Sequence, residues 1–263
     1  MNLEILCKEV CRLARETGSY IREQAELISS GDVEMKGYNN FVTHVDRESE
    51  KRLTDGLTKL LPGAAFIAEE NTIQQSIGIY TWIVDPLDGT TNFIHGLPFF
   101  SISIALMYND MIIIGVVYEV SRDECFYTWE NSPAYLNGTQ IHVSDAPKLS
   151  DALLVTGFPY YEYDLLDKYI ELFVHVLKNT HGLRRLGSAA ADLAYVACGR
   201  FELFFEYGLS PWDVAAGSLI VKQAGGKVSD FRGKNDFIFG KEIIASNHFV
   251  FEDFLSITQK IFG

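Results

Sequence analysis

Cysteine and histidine are scarce in this 263-residue chain, with four and six copies, and Lys and Arg together are outnumbered by Asp and Glu, 22 to 35. Each shortage excludes something. Cys7, Cys11, Cys125 and Cys198 show no paired-motif spacing beyond one helical i, i+4 step, which rules out a disulfide scaffold and predicts reduced thiols in the cytoplasm. No two histidines stand at zinc spacing near a third ligand, and His95 reads as a packing or capping residue. The formal net charge of −13 leaves no basic surface to replace counterions on phosphates, so direct nucleic-acid binding is not expected. No apolar run approaches the roughly 20 residues of a membrane span, and Met1 to Ala25 mixes charge with apolar side chains, unlike a signal peptide. A cytoplasmic protein without membrane partners is the expectation. Low-complexity segments and internal repeats are also missing. What is present is 48% hydrophobic content, enough to bury the core of one large unit or two closely joined subdomains.

Hydrophobic spacing predicts helices over 3–28 and 44–60, then apolar strands at 101–108 and 111–119 joined through Asn109-Asp110, a hairpin signal that makes this part of a sheet antiparallel. A strand over 127–136 runs to a turn at Asn137-Gly138, with a short return strand at 141–143. Beyond it the pattern alternates: strand 152–157, helices 163–179 and 188–198, strand 201–207, helix 212–224 ended by Gly225-Gly226, strands near 227 and 243, and a helix from about 248. The division expected is an N-terminal α+β subdomain, 1–145, and a C-terminal α/β subdomain, 146–263.

The most informative stretch is Trp82-Ile83-Val84-Asp85-Pro86-Leu87-Asp88-Gly89-Thr90-Thr91-Asn92-Phe93. A strand ending at Asp85 meets Pro86, which fixes its own φ and keeps Asp85 extended, so the chain turns with both aspartates near one point. Two adjacent carboxylates repel unless a cation joins them, and oxygen-only donors suit Mg²⁺ or Mn²⁺ rather than zinc. The Leu87 carbonyl is a further candidate ligand. Gly89 lets the backbone approach a ligand closely, and the amides of Gly89, Thr90 and Thr91 can point at an anion. A lone Asp-Gly would be an ordinary turn. A structural turn does not require the second carboxylate or the paired threonines. Glu69 and Glu70 close a short apolar run upstream, and Asp213 sits where a helix begins. Alone, these read as solvated charges and a first-turn acid favoured by the helix dipole.

Together these segments resemble the inositol monophosphatase family, Mg²⁺-dependent and lithium-sensitive phosphomonoesterases. The likeness runs through Lys36 to Asp46, Ile67 to Glu70, the DPLDGTT run, Arg184 to Arg200 and Glu206 to Gly226, with RRLGSAA and GLSPWD in the bacterial style. It implies the α+β fold of the sugar phosphatases, a layered α-β-α-β-α sandwich. The first subdomain would carry most metal ligands, and the second would supply Asp213 and the substrate contacts. It implies two or three Mg²⁺ ions: one held by Glu69, Asp85 and the Leu87 carbonyl, a second by Asp85, Asp88 and Asp213, and a looser third reached by Glu69. Thr90, oriented by Asp46, would work with Glu69 to activate the attacking water, with no phosphoenzyme. Gly89 and Thr90 amides would hold the phosphate.

The same resemblance places Asp88, Gly187, Ser188, Ala189 and Glu206 around the alcohol part of the substrate. Residue pattern alone gives Glu206 a plainer reading, since alternation over 201–207 can put its glutamates on the solvent face of a half-buried strand. Ser188 stands where animal members carry threonine, and Asn40 where an aspartate is usual in a loop that also contains Lys36. The implied function is hydrolysis of a small phosphomonoester, foremost myo-inositol 1-phosphate, by a homodimer in the family's manner. Fructose 1,6-bisphosphate, histidinol phosphate and adenosine 3′,5′-bisphosphate are alternative substrates. A regulatory protein that binds the transcription machinery is the alternative from another class, with Arg184 and Arg185 as a dimer or partner surface or as solvated charges.

Overall fold

The computed structural model describes residues 1–27, 33–37, 40–159 and 163–263, and only the backbone over 33–37 and 40–42. The side chains of Lys36 and Asn40 therefore lie outside the described residues. The chain opens with α1 (Leu3–Ala25), capped by the Asn2 side chain, which accepts from the Ile5 amide at 3.1 Å. Leu6, Cys7, Val10, Cys11, Ala14 and Ile21 form its buried stripe. Strands β1 (Val33–Gly37) and β2 (Asn40–Thr43) pair antiparallel, and α2 (His44–Leu60) follows from a capping box at Thr43 and Asp46.

Two sheets organise the rest. The first has seven strands in sequential order: β3 (Ala65–Ala68), β4 (Tyr80–Asp88), β5 (Ser101–Tyr108), β6 (Met111–Glu119), β7 (Glu124–Trp129), β8 (Ala134–Leu136) and β9 (Thr139–Ile141). Only β3 and β4 run parallel, because a loop carries the chain between them, whereas tight turns join the strands from β5 onward. Asn109 takes the left-handed turn conformation at φ 51°. Between β4 and β5 comes the short helix α3 (Thr90–Ile94).

The second sheet is assembled from β10 (Leu153–Thr156), β11 (Gly182–Arg184), β12 (Leu203–Tyr207), β13 (Lys227–Ser229) and β14 (Glu242–Ser246), in the order β11-β10-β12-β14-β13. Its helices are α4 (Leu166–Asn179), α5 (Ala189–Ala197), α6 (Pro211–Gln223) and α7 (Phe251–Phe262). Helices α1 and α2 cover the outer face of the seven-stranded sheet around Trp82, Val84, Ile104 and Tyr118. Ala190, Leu193 and Ala194 of α5, with Ala215, Ala216 and Ile220 of α6, fill the space between the sheets against Ile83, Ala105, Phe204 and Ala245. Helices α4 and α7 close the far face through Tyr169, Leu172 and Phe254. The result is the α-β-α-β-α sandwich. The small residues of α5 and α6 explain how one helical layer fits between two sheets: their short side chains let both sheets approach.

Four details differ from the sequence reading. Strand β4 does not stop at Asp85 but runs through Pro86 to Asp88. The stretch 127–136 is broken into β7 and β8 by a turn around Ser132 and Pro133. The edge strand β11 carries no clear sequence signal, being three residues between a helix and a glycine-containing turn. Finally, β12 is central and buried on both faces, so alternation there reports no solvent face.

Candidate active site

The path of β4 explains how Asp85 and Asp88 come to one place. Residues three apart on a regular strand point to opposite faces. Here Asp85 pairs with Ser103 and Asp88 with Ser101, so three steps on β4 oppose two on β5. The extra residue is a bulge that restores both carboxylates to the same side, and Pro86, which has no N–H to lose from the ladder, sits inside it. Asp85 Oδ1 accepts from the Leu87 amide at 2.9 Å, fixing the turn. Gly89 then adopts φ 97°, and a Cβ there would lie 3.1 Å from the Gly187 carbonyl and 3.2 Å from that of Phe99. Only glycine fits both the angle and the space.

Two further acids arrive through helix capping. Asp46 is the third residue of α2: its Oδ2 accepts from the Thr43 amide (2.8 Å) and hydroxyl (2.6 Å), while Oδ1 lies 2.9 Å from Thr90 Oγ1. Thr90 Oγ1 is also 3.0 Å from the Leu87 carbonyl. Asp213 is the third residue of α6, after Pro211 at the first position, and its Oδ2 accepts from the Ser210 amide at 2.7 Å. In each case the cap holds one oxygen and aims the other elsewhere.

Glu69 follows β3 on a loop tied down by a residue the sequence reading missed. Glu50, fully buried on α2, accepts from the Glu70 amide (2.6 Å), the Thr72 amide (2.6 Å) and the Thr72 hydroxyl (2.7 Å). Its only sequence signal was a charge on the apolar side of α2.

Asp85, Asp88 and Asp213 offer carboxylate oxygens that all lie within 4.8 Å of one another. With Glu69 and the Leu87 backbone they line a cleft of about 530 Å³, whose lining residues include seven acids and one base, Arg185. Burial raises Asp85 well above the usual carboxylate range, and the charges of Glu69, Asp88 and Asp213 push it further. Burial likewise raises Asp213 to about 7, with Asp88 adding to the rise, and Asp88 to about 6 against the opposing pull of Ser188, Ala190 and Arg185. Acids this crowded do not ionise together without a cation, and an all-oxygen donor set fits a hard divalent ion.

The rest of the cleft lining comes from α5, β12 and the segments beside them. Asp88 Oδ2 accepts from Ser188 Oγ (2.7 Å) and the Ala190 amide (2.8 Å), and Ser101 Oγ lies 2.9 Å from Ser188 Oγ. Ser188, expected beside the alcohol, thus spends its hydroxyl proton on Asp88 and also caps α5. Asn92 Nδ2 donates to the Phe99 and Leu186 carbonyls (2.7 and 2.8 Å), strapping the β4–β5 connection to the segment that leads from β11 into Gly187. Gly187 and Ala189 line the cleft, and Glu206 is 6% exposed with its carboxyl against Gly157, where a Cβ would overlap it. Arg184 is exposed on β11, whereas Arg185 lines the cleft and draws down the pKa of Asp88, Asp192 and Glu206. Asp192, also missed, is 1% exposed and lines the same cleft. His95 is exposed at the end of α3.

A layered sandwich whose acidic cleft offers oxygen donors suited to a hard divalent cation is the class that fold and site define, and comparison with known proteins narrows it. Residues 2–261 match the inositol monophosphatase family, to which the chain belongs. It is 42% identical over 253 residues to a Pseudomonas aeruginosa protein named Nus factor SuhB, covering 94% of this chain and 93% of that one. Among solved structures, extragenic suppressor protein SuhB from Bartonella henselae superposes with a TM-score of 0.91 at 37% identity, covering 96% and 98% of the two chains. The Thermotoga maritima IMPase gives 0.86 at 36% identity, covering 96% of each.

Proposed function

We propose that the protein is a phosphatase that uses divalent cations to hydrolyse a small phosphomonoester, with myo-inositol 1-phosphate as its leading substrate. The observation that carries this reading is the convergence of Asp85 and Asp88 of β4 with Asp213 of α6, within 4.8 Å, in a cleft that Glu206 also lines. Membership of the family and likeness to an IMPase support it.

Glu69, Asp85 and the Leu87 carbonyl would hold one Mg²⁺, and Asp85, Asp88 and Asp213 a second, with Glu69 reaching a looser third; Mn²⁺ suits the same donors. Bound there, such ions neutralise charge on the ester and on the leaving oxygen and make water a stronger nucleophile. Thr90 Oγ1 gives its proton to Asp46 Oδ1, which leaves its lone pairs to accept from a water proton. Glu69 stands beside it as the base, and water attacks phosphorus directly, with no residue phosphorylated. The Gly89 and Thr90 amides hold the phosphate oxygens. Asp88, Gly187, Ser188, Ala189 and Glu206 surround the alcohol. With one base among the lining residues, the cleft disfavours a second phosphate, which sets fructose 1,6-bisphosphate and adenosine 3′,5′-bisphosphate behind inositol 1-phosphate and histidinol phosphate. Lithium would compete for the more weakly held cation.

The exposed apolar stripe of α4, Ile170, Val174 and Leu177, supports a homodimer. Similarity to a protein named Nus factor supports a second, separable role in binding the transcription machinery. No helix among the described residues is long and apolar enough to cross a membrane. The test is phosphate release from the four esters with Mg²⁺ and with EDTA. One preferred monophosphate, cleaved only with metal, is the expected result. No release from any of them would overturn the enzyme reading and leave the partner-binding one.

A further inference from the structure

Asp192 is a buried acid to which the mechanism above gives no task. It lies one turn along α5 from the cap Ser188, about 6 Å at the helical rise. Its side chain is 1% exposed, it lines the cleft, and its Oδ1 has no hydrogen-bond partner. An oxygen buried without a donor forfeits its hydration uncompensated, so such atoms are rare unless something else supplies the proton. A favourable position in the first turn of α5 does not account for it. The helix dipole would favour an exposed acid there as well, at no cost in desolvation.

Its surroundings indicate what it awaits. Glu206 and Asp88 are close enough to act on it electrostatically, and Arg185 offsets some of that repulsion. Glu206 cannot retreat, because its carboxyl packs on the bare backbone of Gly157. Asp88 Oδ2 is already occupied by Ser188 and Ala190. Asp192 Oδ1 is therefore an unpartnered acceptor among the acids that line the cleft, close to Glu206 and Asp88.

We propose that Asp192 is a specificity-determining residue whose Oδ1 accepts a hydrogen bond from a hydroxyl of the leaving alcohol, so that Asp192 and Glu206 together read two hydroxyls of a polyol. The inference rests on the phosphatase reading and extends it to a residue with no role there. A leaving group without hydroxyls cannot make this contact, and the difference between two esters exposes it.

The experiment compares kcat/KM for myo-inositol 1-phosphate and for p-nitrophenyl phosphate, with saturating Mg²⁺, in wild type, Asp192→Ala and Asp192→Asn. The expected result for Asp192→Ala is a loss of roughly tenfold or more on the inositol ester relative to the nitrophenyl ester, carried by KM. Asn keeps an acceptor oxygen, and Asp192→Asn recovers part of that ratio even if the alanine variant folds poorly. An unchanged ratio in both variants, whether the two activities fall together or neither falls, overturns the assignment. Failure of the wild type on both esters shows instead that the phosphatase reading is wrong, and the inference falls with it.

Discussion

Asp46, Asp88 and Asp213 each divide their two oxygens between a structural task and an open one. One oxygen satisfies backbone amides or a hydroxyl, and the other is left free to face Thr90 or the shared cluster. Such division pre-orients a charged side chain without a separate scaffold. Glu50 acts one step further out, holding the loop that carries Glu69 by three hydrogen bonds to Glu70 and Thr72. Removing it in Glu50→Ala strands two amides and should cost about 1–3 kcal/mol in a denaturant titration. It should also raise the Mg²⁺ concentration for half-maximal turnover about tenfold, because Glu69 loses its support. A destabilised variant with an unchanged Mg²⁺ requirement would show that Glu50 only stabilises the fold. Residues such as Asp85, Asp88 and Asp213 were legible because their chemistry is dense and local in sequence. Glu50 and Ser101 were not, since their partners are 20 or more residues away, and Asp192 was not, since only the folded cleft brings it near Glu206 and Asp88.

At the level of elements, the β4 bulge converts a sequence spacing that would separate two carboxylates into one that joins them. Proline and two aspartates announced a turn, but the strand's continuation to Asp88 depends on pairing with β5, which the local sequence does not contain. Strand β12 shows the same limit: alternation around Glu206 fits a solvent-facing strand equally well, and only its central place between β10 and β14 buries the carboxyl. The close approach of Gly157 to Glu206 gives an element-scale prediction. In Gly157→Ala the new methyl displaces the Glu206 carboxyl. The expected loss in kcat/KM on inositol 1-phosphate is about tenfold or more, since shifts near 1 Å at a binding group have effects of that order. Normal kinetics in that variant would remove Glu206 from substrate recognition.

For the molecule as a whole, the acidic cleft couples metal, pH and stability. Asp88 and Asp213 have folded-state pKa values raised to about 6 and about 7, so between about pH 4 and pH 7 the folded chain binds protons that the unfolded chain has released. Their contribution to stability is therefore lost as pH rises through that window. In EDTA the thermal midpoint should fall between about pH 4 and pH 7, and at pH 7 and above millimolar Mg²⁺ should restore it by replacing the protons. A midpoint insensitive to Mg²⁺ at about pH 8 would contradict the assignment of this cluster as a cation site. The sandwich itself was legible from alternating strands and helices and from the family likeness. Which helices share the middle layer was not, because α5 and α6 are apolar on nearly every side and their periodicity names no partner.

Whether this cluster serves hydrolysis is decided by inorganic phosphate release from myo-inositol 1-phosphate by wild type and Asp88→Asn, each with Mg²⁺ and with EDTA. Turnover is expected only in wild type with Mg²⁺, and the loss in Asp88→Asn is expected to be roughly a hundredfold or more while its circular dichroism spectrum is unchanged. Near-normal turnover by folded Asp88→Asn, or by wild type in EDTA, would contradict a hydrolytic role for the cluster.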